Sequence, residues 1–263
     1  MLEILVATAL VLLTTAVLAA FRFKAVIDPS RPKALRHGRQ NPEEPTHILI
    51  VLGSGGHTAE MLGMLERAVT EKDYDSRIDW RDYTHRTWVV SSGDGISAER
   101  AYEFEEKLAD LSMQTTLTDG KDNRVMGLAS GTYEIVTVPR AREIHQPAYT
   151  APISCLKCFW TCVGVLTSHT TDGQLDFPDL ILCNGPATAT ILIFTTILLR
   201  FFNIHGCNSR HKMRTLYIES WARVKRLSLS GRLLLPIVDR FLVQWPQLEK
   251  IAGSRAEYHG PLV

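Results

Sequence analysis

Residues 47–65 read HILIVLGSGGHTAEMLGML. An apolar run from His47 to Leu52 breaks at Gly53-Ser54-Gly55-Gly56-His57-Thr58, and Met61, Leu62, Leu65, Ala68 and Val69 then recur at helical spacing. This is the pattern of a strand, a glycine loop and a helix whose apolar face covers the strand. Glycines let the backbone turn sharply and approach a ligand closely, while the helix behind them offers unpaired N–H groups and the positive end of its dipole. Together they make an anion site, most often for phosphate.

Outward from this unit, short apolar or β-branched runs alternate with helical segments. Strands are expected at Thr87–Ser91, Tyr133–Val138, Leu180–Asn184, Arg214–Ile218 and Phe241–Val243, with helices at Ile96–Leu111, Pro152–Leu166 and Ala187–Phe202. Such alternation predicts an α/β fold, a Rossmann-like doubly wound parallel sheet of six strands, with His259–Val263 as an edge strand or free tail. Ser112–Ser130 reads as a mobile insertion and Glu71–Arg86 as a polar connection. The Ala187–Phe202 helix loses its uncharged run at Arg200, short of the roughly 20 residues a membrane span needs, so it reads as a core helix.

Upstream, Ile4–Phe21 contains no charged residue. Glu3 precedes it, whereas Arg22, Lys24, Arg31, Lys33, Arg36 and Arg39 follow. A secretory signal has the opposite order, so residues 1–22 read as a transmembrane anchor with the rest of the chain in the cytosol. Residues 23–45, with Pro29, Pro32, Pro42 and Pro45 among charges, read as a linker, and 46–263 as one domain. The 263 residues are 45% hydrophobic and 22% charged with a formal charge of +1, which gives no sign of bulk nucleic-acid binding. Five cysteines without a tight framework fit a reducing compartment. Cys155, Cys158 and Cys162 share a helix face, but Cys183 and Cys207 supply no second pair, so no metal site is expected.

The glycine loop lacks the lysine of a nucleoside-triphosphate loop. Thr58 stands where a dinucleotide fingerprint wants a third glycine, and no acidic residue closes the second strand, Asp94 coming only after Ser91, Ser92 and Gly93. An NAD(P)-dependent oxidoreductase is therefore disfavoured, and no cofactor is expected. His57 at the mouth of an anion site can serve as base, hydrogen-bond donor or helix-start residue. The loop Pro139-Arg140-Ala141-Arg142-Glu143-Ile144-His145-Gln146 follows the third strand, at the edge where open α/β sheets bind ligands; it is either solvated or part of the anion site.

Five blocks carry a resemblance beyond pattern: VLGSGGHTAEML from Val51, VPRAREIHQ from Val138, PDLILCNGP from Pro178, YIESWARVKRLSLSG from Tyr217 and FLVQWP from Phe241. In them the chain resembles the Alg fourteen family, the membrane-anchored subunit of a two-chain UDP-N-acetylglucosamine (UDP-GlcNAc) transferase of asparagine-linked glycosylation. The resemblance implies the N-terminal, acceptor-binding half of a GT-B glycosyltransferase similar to the bacterial peptidoglycan transferase MurG. It implies a cytosolic catalytic partner of the Alg thirteen family that holds UDP-GlcNAc. The reaction implied is transfer of a second GlcNAc, β1,4-linked, to GlcNAc-diphosphate-dolichol at the cytosolic face of the endoplasmic reticulum. A pure scaffold for the catalytic partner is the alternative.

On that resemblance Gly53, Ser54, Gly55, Gly56 and Thr58 are expected to cradle the acceptor diphosphate, with Arg140, Arg142, Glu143 and Arg223 beside them. Asn184 and Gly185 are expected to border the acceptor sugar. His57 or Glu219 takes the proton of the attacking hydroxyl, His57 preferred, and Glu219 alternatively fixes its loop. The apolar helix from Pro152 is expected to lie against the bilayer, and the C-terminal tail to dock on the partner.

Overall fold

The computed structural model describes residues 1–30, 46–70, 83–118, 131–143, 146–147, 149–171, 174–185 and 187–262. The run HILIV forms β1 (His47–Val51), buried at every position, as befits a parallel strand covered on both faces. The other strands are β2 (His85–Ser91), β3 (Thr132–Val138), β4 (Thr170–Thr171), β5 (Gln174–Leu175), β6 (Leu180–Asn184), β7 (Arg214–Ile218), β8 (Arg240–Val243) and β9 (Ala256–Tyr258). Apart from the small β4–β5 hairpin they form one seven-stranded sheet, in the order β3-β2-β1-β6-β7-β8-β9, with every neighbouring pair parallel. Helices α2 (Gly56–Thr70), α3 (Gly95–Thr118), α4 (Ala151–Leu166), α5 (Ala187–Phe202), α6 (Leu229–Leu234) and α7 (Pro246–Ala252) provide the crossovers.

Side chains alternate across the sheet because a strand has a period of two. Ile48, Ile50 and Leu52 pack with Met61, Leu65, Trp88 and Phe104 in one core. Leu49 and Val51 pack with Cys158, Cys162, Leu192, Ile193 and Phe241 in the other. The first core also encloses an ion pair: Arg86 Nη2 lies 2.6 Å from Glu105 Oε2, and Trp88 Nε1 donates to Glu105 Oε1 at 2.6 Å. A carboxylate between two fixed donors ties β2 to α3 in a single register.

The doubly wound parallel sheet agrees with the sequence reading, with three differences. A seventh strand exists, and it is β9 at Ala256–Tyr258; residues 259–262 follow it without strand structure. Only three residues long, β9 is held by its ladder to β8, Val243 pairing with Tyr258, and so shows little of its own pattern. Second, α3 continues past Leu111 to Thr118, since Ser112–Thr118 contains no glycine or proline to stop a helix already nucleated. The remainder of that insertion, 119–130, and residues 71–82 lie outside the described residues, as does 31–45 of the linker.

The third difference is the anchor. Helix α1 (Leu2–Val26) is long and apolar enough to cross a membrane, but it runs beyond residue 22 and ends inside the domain, Val26 being fully buried. Two arginines fasten it. Arg22 of α1 donates to the carbonyls of Arg200 (2.8 Å) and Phe201 (2.9 Å), in the last turn of α5. Arg200 of α5 donates in return to the carbonyl of Val26 at 2.6 Å, at the end of α1. Each helix thus presents its unsatisfied C-terminal carbonyls, the negative end of its dipole, to a guanidinium of the other. Arg200 is fully buried and is held by Asp239 through contacts of 2.7 and 3.1 Å. The same carboxylate accepts from Arg214 Nη1 and from the N–H and hydroxyl of Thr215.

Candidate functional site

Strand order reverses between β1 and β6, and open α/β sheets bind ligands outside the strand ends at such a reversal. Both strands run straight into helices here, β1 through Gly53-Ser54-Gly55 into α2, and β6 through Gly185 into α5. Pro186, between Gly185 and α5, lies outside the described residues. Two helix N-termini therefore face one crevice, where their free N–H groups and dipoles favour an anion. A cavity of about 280 Å³ opens there, lined by Gly53, Ser54, Ser91, Asn184, Ala187 and Thr188, and by Arg140, Arg142 and Glu143 from the loop after β3. Arg140 is braced by its Nε to the carbonyl of Ser92 at 3.0 Å. Arg142 is exposed, with one contact of 3.3 Å to the carbonyl of Gln146.

The glycines divide into two jobs. Gly55, at φ +60°, and Gly56 have open space where a Cβ would stand, so they leave the approach to α2 clear. Gly53 and Gly185 instead make a slot for the His57 ring: a Cβ on Gly53 would fall 2.6 Å from His57 Cβ, and one on Gly185 2.9 Å from His57 Cγ. Gly185 also has φ +96°, a conformation side-chain-bearing residues rarely adopt.

Within that slot His57 Nδ1 lies 3.1 Å from Asn184 Oδ1 and 3.6 Å from Glu60 Oε2, one turn along α2. Asn184 is fully buried and its Nδ2 donates to Glu60 Oε2 at 3.1 Å; Ser220, after β7, donates to Glu60 Oε1 at 2.9 Å. The Glu60 contact raises the His57 pKa above its usual 6.5; burial opposes this, and Asn184 adds to it. For Glu60, burial pushes the carboxyl up, but hydrogen bonds from His57, Asn184 and Ser220 outweigh it and leave the pKa below 4.5. The stability this pair contributes is therefore complete between about pH 4.5 and 6.5. It is lost as pH rises through the His57 pKa or falls through that of Glu60.

The strand-end edge thus carries two adjoining compartments. The anion cavity spans the Gly53 loop to the β3 loop, and the His57 network spans Asn184 to the β7 loop, with Gly53 and Asn184 common to the border. Of the residues expected at the site, Gly53, Ser54, Arg140, Arg142, Glu143 and Asn184 line the cavity, while His57 and Gly185 flank it. Three stand apart. Thr58 is buried, its hydroxyl donating to the carbonyl of Gly53 and lying 2.6 Å from Ser97 Oγ, so it latches the loop from behind. Glu219 is 1% exposed and accepts from the N–H of Ser220 and from the N–H and hydroxyl of Ser228, which assigns it to holding its own loop. Arg223 is exposed on that loop and is not among the cavity-lining residues.

Glu60, Ser91, Thr188 and Ser220 are not among the residues expected at the site from the sequence. Ser91 and Thr188, whose hydroxyls meet at 3.2 Å, lie on the cavity wall. The available signal was positional: Ser91 closes β2, Thr188 opens the helix after β6 and Ser220 follows β7, all at the C-terminal edge of the sheet. Asp94 caps α3 through the N–H and hydroxyl of Ser97, a role that removes it from ribose recognition.

Comparison with known proteins follows this geometry. The family described as oligosaccharide biosynthesis protein Alg14 like matches residues 48–262. The UDP-N-acetylglucosamine transferase subunit alg14 of Aspergillus fumigatus is 40% identical over 229 residues, covering 71% of this chain and 96% of that protein. The subunit of the same name from Yarrowia lipolytica is 38% identical, covering 82% of this chain and 81% of that protein. The human one is 31% identical, covering 82% and 83%. Among solved structures, MurG of Acinetobacter baumannii aligns with a TM-score of 0.42 at 11% identity, covering 77% of this chain and 42% of that one, so the chain spans less than half of MurG's length. With a family match from the first strand to the last and relatives at this identity across most of its length, the chain belongs to the Alg14 family.

Proposed function

We propose that this chain is the membrane-anchored, acceptor-binding subunit of a two-chain UDP-GlcNAc transferase. The reaction is addition of the second GlcNAc, β1,4-linked, to GlcNAc-diphosphate-dolichol for protein N-glycosylation. The chain recruits a cytosolic catalytic subunit of the Alg thirteen type, which holds UDP-GlcNAc, to the cytosolic face of the endoplasmic reticulum. The observation that carries the reading is the cavity at the β1–β6 reversal, where two helix N-termini and Arg140 and Arg142 surround a space bordered by His57. A diphosphate fits such a cradle, and the sugar beyond it lies toward Asn184 and Gly185. The names of the relatives support a transferase subunit.

The acceptor is a lipid, and the fold supplies a surface for it. Ile153, Leu156 and Trp160 of α4 and Phe194, Leu198 and Phe202 of α5 are exposed. These two helices pack on each other, and α5 also packs on α1. Since α1 is the membrane-crossing segment, the bilayer receives this apolar face and delivers the dolichol chain along it. Helix α1 is fastened to α5 at its C-terminal end, so the anchor is continuous with the domain.

Kinetics of the assembled enzyme test the acceptor assignment. Replacing Arg140 and Arg142 together by alanine removes charge-assisted contacts worth about 1.5–3 kcal/mol each. The KM for the diphosphate-lipid is then expected to rise roughly tenfold or more while the KM for UDP-GlcNAc is unchanged. A rise confined to UDP-GlcNAc overturns the assignment.

A further inference from the structure

Asn184 joins Glu60 to His57, and its amide decides which nitrogen of the imidazole carries the proton. A carboxylate only accepts, so the Asn184 atom 3.1 Å from Glu60 Oε2 is the amide nitrogen. The amide oxygen therefore faces His57 Nδ1, at 3.1 Å. Both neighbours of Nδ1, this oxygen and Glu60 Oε2 at 3.6 Å, are acceptors. Nδ1 must then bear hydrogen, and in the neutral ring the lone pair sits on Nε2, which has no hydrogen-bond partner among the described residues. Ser220 holds the far oxygen of Glu60 at 2.9 Å, so the carboxylate is fixed from β7, the amide from β6 and the imidazole from α2.

We infer that Glu60 is the positioning residue of His57, orienting the Asn184 amide and holding the ring with Nδ1 protonated and Nε2 presented to the acceptor hydroxyl. The inference rests on the reading of His57 as general base. In that step the acceptor 4-hydroxyl oxygen bonds the anomeric carbon of the donor sugar. The bond to UDP breaks with its electron pair, and the hydroxyl proton passes to Nε2. The imidazolium so formed is stabilised by Glu60, as a carboxylate stabilises a base histidine elsewhere. The charged groups acting on the ring are Glu60, on its own helix, and Glu219 from the β7 loop, of the same sign; Asn184, Gly53 and Gly185 complete its surroundings without charge.

The variant Glu60→Gln keeps size but lets either amide end face Asn184, so the orientation is lost. In the full chain with its catalytic partner, kcat is expected to fall roughly tenfold to a hundredfold, with acceptor KM within about twofold. The acid limb of the pH profile is expected to move to lower pH, and adding Glu60→Gln to His57→Ala should cost nothing further, since the two act as a unit. Wild-type kcat and pH profile in Glu60→Gln, with His57→Ala inactive, overturn the inference and leave the base assignment standing. Full activity in His57→Ala overturns the base assignment itself. If Glu60→Gln does not fold, ¹⁵N spectra of the histidines in the wild-type chain decide: protonated Nδ1 on neutral His57 is expected, and protonated Nε2 overturns the inference.

Discussion

His57→Ala is expected to lower transfer by the assembled enzyme by about 10²–10⁴-fold, the span associated with loss of a general base. Partner recruitment should remain. The ring stands at the edge of the domain, in a slot between Gly53 and Gly185, and its side chain is 30% exposed. Its removal therefore leaves the sheet and both cores untouched, and co-purification of the catalytic subunit should match wild type. Those two readouts separate a chemical role from a scaffold role. Retained recruitment with lost transfer supports the base assignment, whereas retained recruitment with unchanged transfer shows a scaffold whose glycine loop is structural.

Asp239→Ala is expected to destabilise the domain by about 3–5 kcal/mol, the cost of stripping the partner from a buried charge. Asp239 meets the fully buried Arg200 and also Arg214 and Thr215. Arg200 in turn holds the carbonyl at the end of α1. The variant should consequently speed amide exchange at the C-terminal end of α1 and in the last turn of α5 as well as lower the denaturation midpoint of the detergent-solubilised chain. A loss under about 1 kcal/mol with unchanged exchange at both helix ends would show that the clamp does not couple anchor to domain. The clamp thus fixes the direction in which α1 leaves the domain.

The fold was legible because its strands are buried on both faces, so each reads as an apolar run followed at once by a turn. Strands β6 and β7 were read to the residue, and β1 was overrun by Leu52 alone. Strand β9 was displaced because three residues carry no period and the strand exists only through its neighbour. The apolar N-terminal helix was legible from its lack of charge, though not its end at Val26, and its attachment was not: Arg22 and Arg200 lie far apart in sequence, and neither differs in appearance from a surface arginine. The site divides in the same way. The glycine loop and the β3 loop, singled out by composition, line one cavity, while the Glu60–Asn184–His57 chain depends on β1 and β6 being neighbours. For Glu219 the sequence left a base and a loop-fixing role open, because polar side chains at strand ends serve the loop as often as the ligand, and only burial and partners tell the two apart.

On the proposed function this chain holds the acceptor side of a transferase completed by a second chain. The most direct test is transfer of labelled GlcNAc from UDP-GlcNAc to a GlcNAc-diphosphate-lipid by the purified full chain, alone and with the catalytic partner. No product is expected from the chain alone, and product once the partner is added. Transfer by the chain alone would contradict the proposed function.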